Sequence, residues 1–234
     1  MIYVTSDLHG VHPDTMHSLL RKAGFRAEDY LFVLGDVIDR GEHGIELLLW
    51  LTEMPNAQLI LGNHEALMLA CDFLFQEVTE KSLEMLTVEN LTLMHAWQDN
   101  GGSPTIRAMK RLTEQAPDLA EGIWDYLRDA PLYDVLQIEG KRFILTHSGL
   151  GNFSPGKALD DYCAEELLLE RPALTQAYYP NATVIFGHTP TQLYGPEYAG
   201  KALRTDTWID IDTGAAAGGT PMLLRLDDGK EFYL

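Results

Sequence analysis

The sequence predicts an α/β fold, and three observations carry that reading. Short apolar runs alternate with amphipathic helical stretches over residues 2–61, helical patterns alone occupy about 66–130, and apolar runs return from Arg142. The early runs also end in side chains suited to metal binding or acid-base chemistry. Open α/β sheets place their ligands at the carboxyl ends of strands, so these ends are where function is sought.

Ile2-Tyr3-Val4-Thr5 is β-branched and aromatic and predicts a strand, which ends at Ser6-Asp7-Leu8-His9-Gly10. Pro13-Asp14 opens a helix to about Ala23, with Met16, Leu19 and Leu20 on one side and Gly24 as its stop. Tyr30-Leu31-Phe32-Val33-Leu34 is the second strand. It delivers Gly35-Asp36-Val37-Ile38-Asp39-Arg40-Gly41, two carboxylates and a guanidinium in one turn. A carboxylate at the mouth of a buried strand needs a partner, because an isolated buried charge costs several kcal/mol. Ile45 to Leu51 predicts a second helix ended by Pro55, and Ala57 to Leu61 a third strand finishing in Gly62-Asn63-His64-Glu65.

Between Ala66 and about Ala130 no strand is expected. Leu67 to Glu77, Val88 to Gln98, a segment with Ser103-Pro104 as N-cap and N1, and Asp118 to Arg128 all predict helix, an insertion packed beside the sheet. Within it, Trp97-Gln98-Asp99-Asn100-Gly101-Gly102 predicts a tight turn between helices, since Asn-Gly suits left-handed backbone. His95 and the Met and Leu positions around it are assigned to the core. Strand character resumes at Arg142 to Thr146, stopping at His147-Ser148-Gly149; Asp160 to Leu169 predicts a helix leading to Glu170-Arg171-Pro172. Thr183 to Phe186 is a strand ending in Gly187-His188-Thr189-Pro190. The final runs, Trp208 to Gly214, Met222 to Leu226 and Glu231 to Tyr233, are expected to be antiparallel and joined as hairpins, with a turn around Asp228-Gly229.

The 234 residues suit a single domain, 1–234, with the helical insertion at about 66–130. With 17 Lys+Arg against 35 Asp+Glu the net charge is -18, which argues against nucleic acid or anionic membrane as the main partner. Most of this acidity is solvated surface. Cys71 and Cys163 lie far apart and form no CxxC, so both are read as core thiols in a reducing compartment. The amino terminus lacks a basic stretch followed by a long apolar one, and no run of roughly 18 apolar residues occurs, so a cytoplasmic location is expected.

Taken singly, each strand end is a weak signal. Together, Asp-x-His, Gly-Asp-x-x-Asp-Arg-Gly, Gly-Asn-His-Glu, His-Ser-Gly and Gly-His-Thr form an oxygen and imidazole set suited to two divalent cations. In these motifs the sequence resembles the phosphoprotein phosphatase branch of the calcineurin-like metallophosphoesterases, above all its short bacterial and phage members. The likeness runs from Asp7 to about Leu224 and takes in Trp97 with Asn100-Gly101-Gly102, Glu165 to Arg171, and Ile211-Asp212-Thr213-Gly214.

The resemblance implies a four-layer α/β/β/α sandwich of the metallo-dependent phosphatase type with its metal centre at the strand ends. It implies that Asp7 and His9 hold the first metal, that Asp36 bridges, and that Asn63, His147 and His188 complete the second. Manganese is the expected metal, with iron or zinc as alternatives, and water or hydroxide shared by the pair is the nucleophile. His64, oriented by Asp39, is implied as the general acid; Arg40, Arg171 and Asn63 are implied as phosphate-binding groups. Ser6 departs from the usual glycine, Ser148 stands where alanine is common, and Asp212 is read as supporting the site from outside the ligand set.

The implied activity is metal-dependent phosphomonoester hydrolysis, with a phosphoprotein or small phosphoester as substrate and serine/threonine phosphatase activity as the main reading. Symmetrical dinucleoside polyphosphate hydrolysis is the alternative; Asp39 and Glu65 are read as favouring the protein phosphatase type. A non-catalytic phosphate-binding protein is a third reading, opposed by the presence of every ligand and of His64.

Overall fold

The computed structural model describes residues 1–76 and 87–234. Its strands form two five-stranded mixed sheets, ordered β10-β9-β1-β2-β3 and β4-β5-β6-β8-β7. In the first, β1 (Ile2–Thr5), β2 (Tyr30–Val33) and β3 (Ala57–Leu59) are parallel, and β9 (Leu223–Arg225) and β10 (Glu231–Phe232) add antiparallel. In the second, β5 (Lys141–Thr146), β6 (Thr183–Phe186) and β8 (Trp208–Asp210) are parallel, flanked antiparallel by β4 (Tyr133–Ile138) and β7 (Leu203–Arg204).

The period of two along each strand sorts its side chains into separate cores. Val4, Phe32, Leu145, Ile185 and Ile209 meet between the sheets. Their neighbours Tyr3, Leu31 and Val33 face the helices Pro13–Ala23 and Gly44–Thr52 and the helices of the 88–129 stretch. On the other side Ile144, Val184, Phe186 and Trp208 pack under Tyr162, Leu167 and Tyr178. Both faces of the central strands are therefore buried, which is why those strands read as continuous apolar runs. The order is the expected α/β/β/α sandwich, although the outer layer on the second sheet is mostly loop around the short helix Ala164–Leu168.

Several elements differ from expectation. The helix expected from Leu67 to Glu77 starts earlier, at Asn63, and stops at Ala70, with a 3-10 turn at Asp72–Phe75; Glu77 lies outside the described residues. Gly62 rather than a residue near Leu67 opens it, because the Glu65 carboxylate turns back to accept the Gly62 N–H at 3.2 Å. Helix Ser103–Gln115 is capped by Gly102, so Ser103 and Pro104 are its first two residues, not N-cap and N1. Asp160 to Leu169 is no single helix: Tyr162 is extended and buried, splitting the stretch into Leu159–Asp161 and Ala164–Leu168.

The final third is not a chain of hairpins. Trp208–Asp210 lies parallel to β6 in one sheet and Leu223–Arg225 antiparallel to β1 in the other, so only β9 and β10 form the expected pair. Strand β4 was not expected, because Asp134 and Gln137 interrupt its apolar pattern; it is an edge strand joined to β5 through Glu139 and Gly140, both at positive φ. Cys71 is buried, but Cys163 is exposed at the start of helix Ala164–Leu168 and is not a core thiol. His95 is exposed too; Trp97 is the buried residue of helix Val88–Asp99.

Candidate metal centre and active site

The ends of β1, β2 and β3 meet those of β5 and β6 across the gap between the sheets. Among the described residues eight non-glycines have positive φ, and six of them are Asp7, His9, Asp36, Asp39, Arg40 and His188. Left-handed backbone costs a residue with a Cβ about 1–2 kcal/mol, and such strain persists only where surrounding structure enforces it. Here the loops after β1 and β2 are zipped together: His9 N–H donates to Asp36 O and Gly10 N–H to Val37 O, both at 2.8 Å. The turns aim their side chains at one point.

At that point Asp36, 2% exposed, presents its two carboxylate oxygens to opposite sets of donors. Oδ2 lies 3.6 Å from His9 Nε2, and Oδ1 lies 3.5 Å from His147 Nε2. Asn63 Oδ1 sits 2.9 Å from both His147 Nε2 and His188 Nδ1, and Asp7 Oδ1 is 3.9 Å from His9 Nε2. The ring orientations fit ligation: His9 Nδ1–H donates to the Ile38 carbonyl at 3.1 Å and His147 Nδ1–H to the Leu34 carbonyl at 2.7 Å, leaving each Nε2 lone pair directed inward.

The electrostatics point the same way. Burial drives His9 and His188 down to about 3, so both are neutral and can donate a lone pair. Burial opposes ionisation of Asp36, but the attraction of His147 and His64 outweighs it and holds the carboxyl below its usual range. Asp7 is raised by burial and then by the Asp36 charge beside it, the repulsion that a cation between them removes. Two groupings of potential ligands share Asp36, one with His147 and His188 and one with His9 and His64. The residues present fit divalent cations, with Asp36 common to both groupings.

His64 is set apart from the ligands by its partners. Its Nδ1–H donates to Asp39 Oδ2 at 2.6 Å, while Nε2 faces Arg40 Nη2 at 3.3 Å and Asp36 Oδ2 at 3.8 Å. Burial disfavours its charge, yet Asp36 and Asp39 raise it to about 9. A protonated imidazole has no lone pair for a metal and has a proton to give. Against an unfolded value of about 6.5, this proton stabilises the folded, metal-free protein fully below that value and is lost as pH rises toward 9. The Tm of chelator-treated protein is expected to fall between pH 7 and 9, and His64→Asn to flatten that slope; parallel slopes in the two proteins would contradict the assignment.

Asp39 is wholly buried and receives two further donors from the helical stretch: Trp97 Nε1–H to Oδ2 at 2.8 Å and Thr105 Oγ1–H to Oδ1 at 2.6 Å. Gly101 O accepts the Arg40 N–H at 2.9 Å. The Trp97 to Gly102 turn is thus more than a connection between helices. Thr105 was missed in the sequence, where no local pattern marks it. On an alkyl phosphate substrate, whose leaving group needs the proton, Trp97→Phe and Thr105→Val are each expected to lower kcat about ten- to a hundredfold with KM unchanged, the effect of one lost bond to a charged group. Wild-type kcat in both would show that these bonds do not matter.

Glu65 braces the turn between the second strand and the helix that follows the third. Its carboxylate accepts the N–H groups of Asp36, Val37, Ile38 and Gly62, fixing the turn that carries Asp36 to the end of helix Asn63–Ala70. Burial, then the Asp36 charge, pushes it up to about 7. Asp212 is buried and accepts the Gly214 N–H at 2.9 Å. Arg171 is exposed and lines a cavity of about 480 Å³ with Asn63, Asn100 and His188, so the structure brings it to the ligands despite its distance in sequence.

The sequence profile of the calcineurin-like phosphoesterases matches residues 1–204. The chain belongs to that family. Members of this hydrolase family use divalent metals, and the structure gathers His and Asp groupings around Asp36 that could hold them. Among curated relatives, the symmetrical bis(5'-nucleosyl)-tetraphosphatase of Actinobacillus succinogenes is 31% identical over 63% of this chain, and the match spans only 44% of that enzyme. Its counterpart in Mannheimia succiniciproducens is 24% identical over 98% of this chain and 95% of its own length. Among solved structures, one described as a candidate diadenosine tetraphosphatase covers the whole chain and 92% of its own, at TM-score 0.63 and 18% identity. A serine/threonine phosphatase from Saccharomyces cerevisiae covers the whole chain and 79% of its own, at TM-score 0.53 and 14% identity. At such identities the structural likeness speaks for the phosphoesterase fold alone. Among the described residues no helix is long and apolar enough to cross a membrane.

Proposed function

We propose that residues 1–234 form one catalytic domain, a dinuclear-metal phosphohydrolase, and that symmetrically cleaved dinucleoside polyphosphates are its first substrate class. The observation that carries hydrolysis is Asp36, whose two oxygens face opposite histidines. The substrate class draws support from the relatives, which bear the tetraphosphatase name. It also draws on the cavity of about 480 Å³ beside Asn63 and His188, where Ala66, Leu67, Leu168 and Leu169 offer an aliphatic wall to the organic part of a nucleotide.

Two divalent cations held by Asp7, His9, Asp36, Asn63, His147 and His188 would supply Lewis acidity and a water acidified toward a pKa of about 7. Manganese is the proposed metal, with iron or zinc as alternatives, because the donors are oxygen and imidazole without thiolate. Arg40, beside His9 and His64, and Arg171, on the cavity wall, would grip phosphate oxygens. Asp39 keeps the His64 ring turned so that Nε2 faces Arg40 and Asp36, from where it would hand its proton to the departing oxygen.

That last pair favours a second reading. A nucleoside diphosphate leaves as a weak base, with a terminal phosphate pKa of about 6, and needs little protonation. A serine or threonine alkoxide is strongly basic, and an oriented acid is worth roughly 10²–10⁴-fold in expelling it. The Asp39-His64 pair therefore speaks for phosphoserine or phosphothreonine substrates.

Diadenosine tetraphosphate, a phosphopeptide panel and p-nitrophenyl phosphate assayed together, with and without Mn²⁺, separate the readings. Mn²⁺-stimulated formation of ADP at a higher kcat/KM than phosphopeptide cleavage is expected; the reverse order selects the second reading. Elemental analysis of the purified protein accompanies the assay, and no metal-stimulated hydrolysis of any substrate would overturn both.

A further inference from the structure

We infer that Ser6 is a positioning residue for the first metal, fixing which oxygen of Asp7 faces the cation; this rests on the reading of Asp7 as a ligand. Ser6 is 2% exposed and follows the last residue of β1. Its hydroxyl donates to Asp7 Oδ2 and is also within 3.1 Å of the Leu34 carbonyl oxygen. A hydroxyl has one proton to give. The Leu34 carbonyl already receives His147 Nδ1–H at 2.7 Å, and a carboxylate is the stronger acceptor, so the proton belongs to Asp7.

Asp7 Oδ2 accepts a second donor, the His188 N–H at 2.8 Å. Two donors occupy that oxygen, and Oδ1, 3.9 Å from His9 Nε2, is left as the one that can ligate. Asp7 thus offers the first cation a single oxygen in a fixed direction. The arrangement is tightly enclosed from the second sheet: a Cβ on Gly187 would fall 2.0 Å from Asp7 Oδ2 and 2.1 Å from Ser6 Oγ. Ser6 also stands between the two halves of the centre, touching a ligand of the first metal and the carbonyl that orients His147 of the second.

Metal-free wild type, Ser6→Ala and Ser6→Gly are titrated with Mn²⁺, free Mn²⁺ is followed by electron paramagnetic resonance, and the Tm of each metal-free protein is recorded. Glycine at this position gives a second variant if alanine disturbs folding. One of two bound equivalents is expected to weaken about ten- to a hundredfold, as is usual when a group that orients a ligand is lost. The other equivalent should stay within about threefold and the metal-free Tm should hold. Unchanged affinity for both equivalents overturns the inference, and so does equal weakening of both with a lowered Tm, which marks a merely structural role. A wild-type chain that binds no Mn²⁺, or Asp7→Asn with both equivalents intact, overturns the metal assignment beneath it and is recognised without the Ser6 variants.

Discussion

Asp36→Asn is expected to reduce kcat about a thousandfold or more and to leave the protein with one equivalent of metal or none. The size follows from the several kcal/mol that bridged cations contribute to a phosphoryl transition state, at about 1.4 kcal/mol per tenfold. Asparagine keeps the shape of the side chain but has one oxygen. The Oδ1 that accepts the His64 N–H at 3.1 Å also faces His147, so the amide nitrogen would be left toward His9, where it cannot ligate. Folding is expected to survive, because Glu65 holds the turn through backbone groups alone. Elemental analysis beside a phosphatase assay decides the matter: two metals per chain and activity within tenfold of wild type would remove Asp36 from the bridging role.

His64→Asn is the second large effect, and its size should depend on the substrate. For an alkyl phosphate the loss of an oriented acid is expected to lower kcat about 10²–10⁴-fold. For p-nitrophenyl phosphate or a dinucleoside tetraphosphate, whose leaving groups depart without a proton, the loss should be within about tenfold. Asp39 keeps Trp97 and Thr105 as donors in the variant, so its buried carboxylate is not left bare. A steady-state series over leaving groups of increasing basicity is the measurement. An equal loss across the series would mean that His64 supports the site by shape or charge and donates no proton.

The strand-end residues were legible because the same physics makes them visible in both views. Val4, Phe32 and Ile185 are apolar since both faces of each sheet are buried, and the run must stop where the chain turns out to the site. Asp7, Asp36, Asn63, His147 and His188 stand at those stops, and the structure draws them together. The helical stretch was legible as helix but not as part of the site. Trp97 and Thr105 reach Asp39 from 58 and 66 residues away, and no periodicity records such a contact. Strand partners were hidden for a related reason. Trp208–Asp210 and Leu223–Arg225 are both short apolar runs buried on either face, which marks each as a strand but not which sheet it joins. Cys163 was misplaced because residue type alone stood for burial, while the split at Tyr162 turns that position outward.

The bonds from Trp97 and Thr105 to Asp39 have a bearing on traffic through the site. Swinging helices Val88–Asp99 and Ser103–Gln115 away would strip two donors from a fully buried carboxylate and expose the Trp97 indole, and both are costly. Those helices would then act as a fixed jamb and not as a door, and a substrate would enter past Arg171 and Leu169, which stand exposed on the cavity wall.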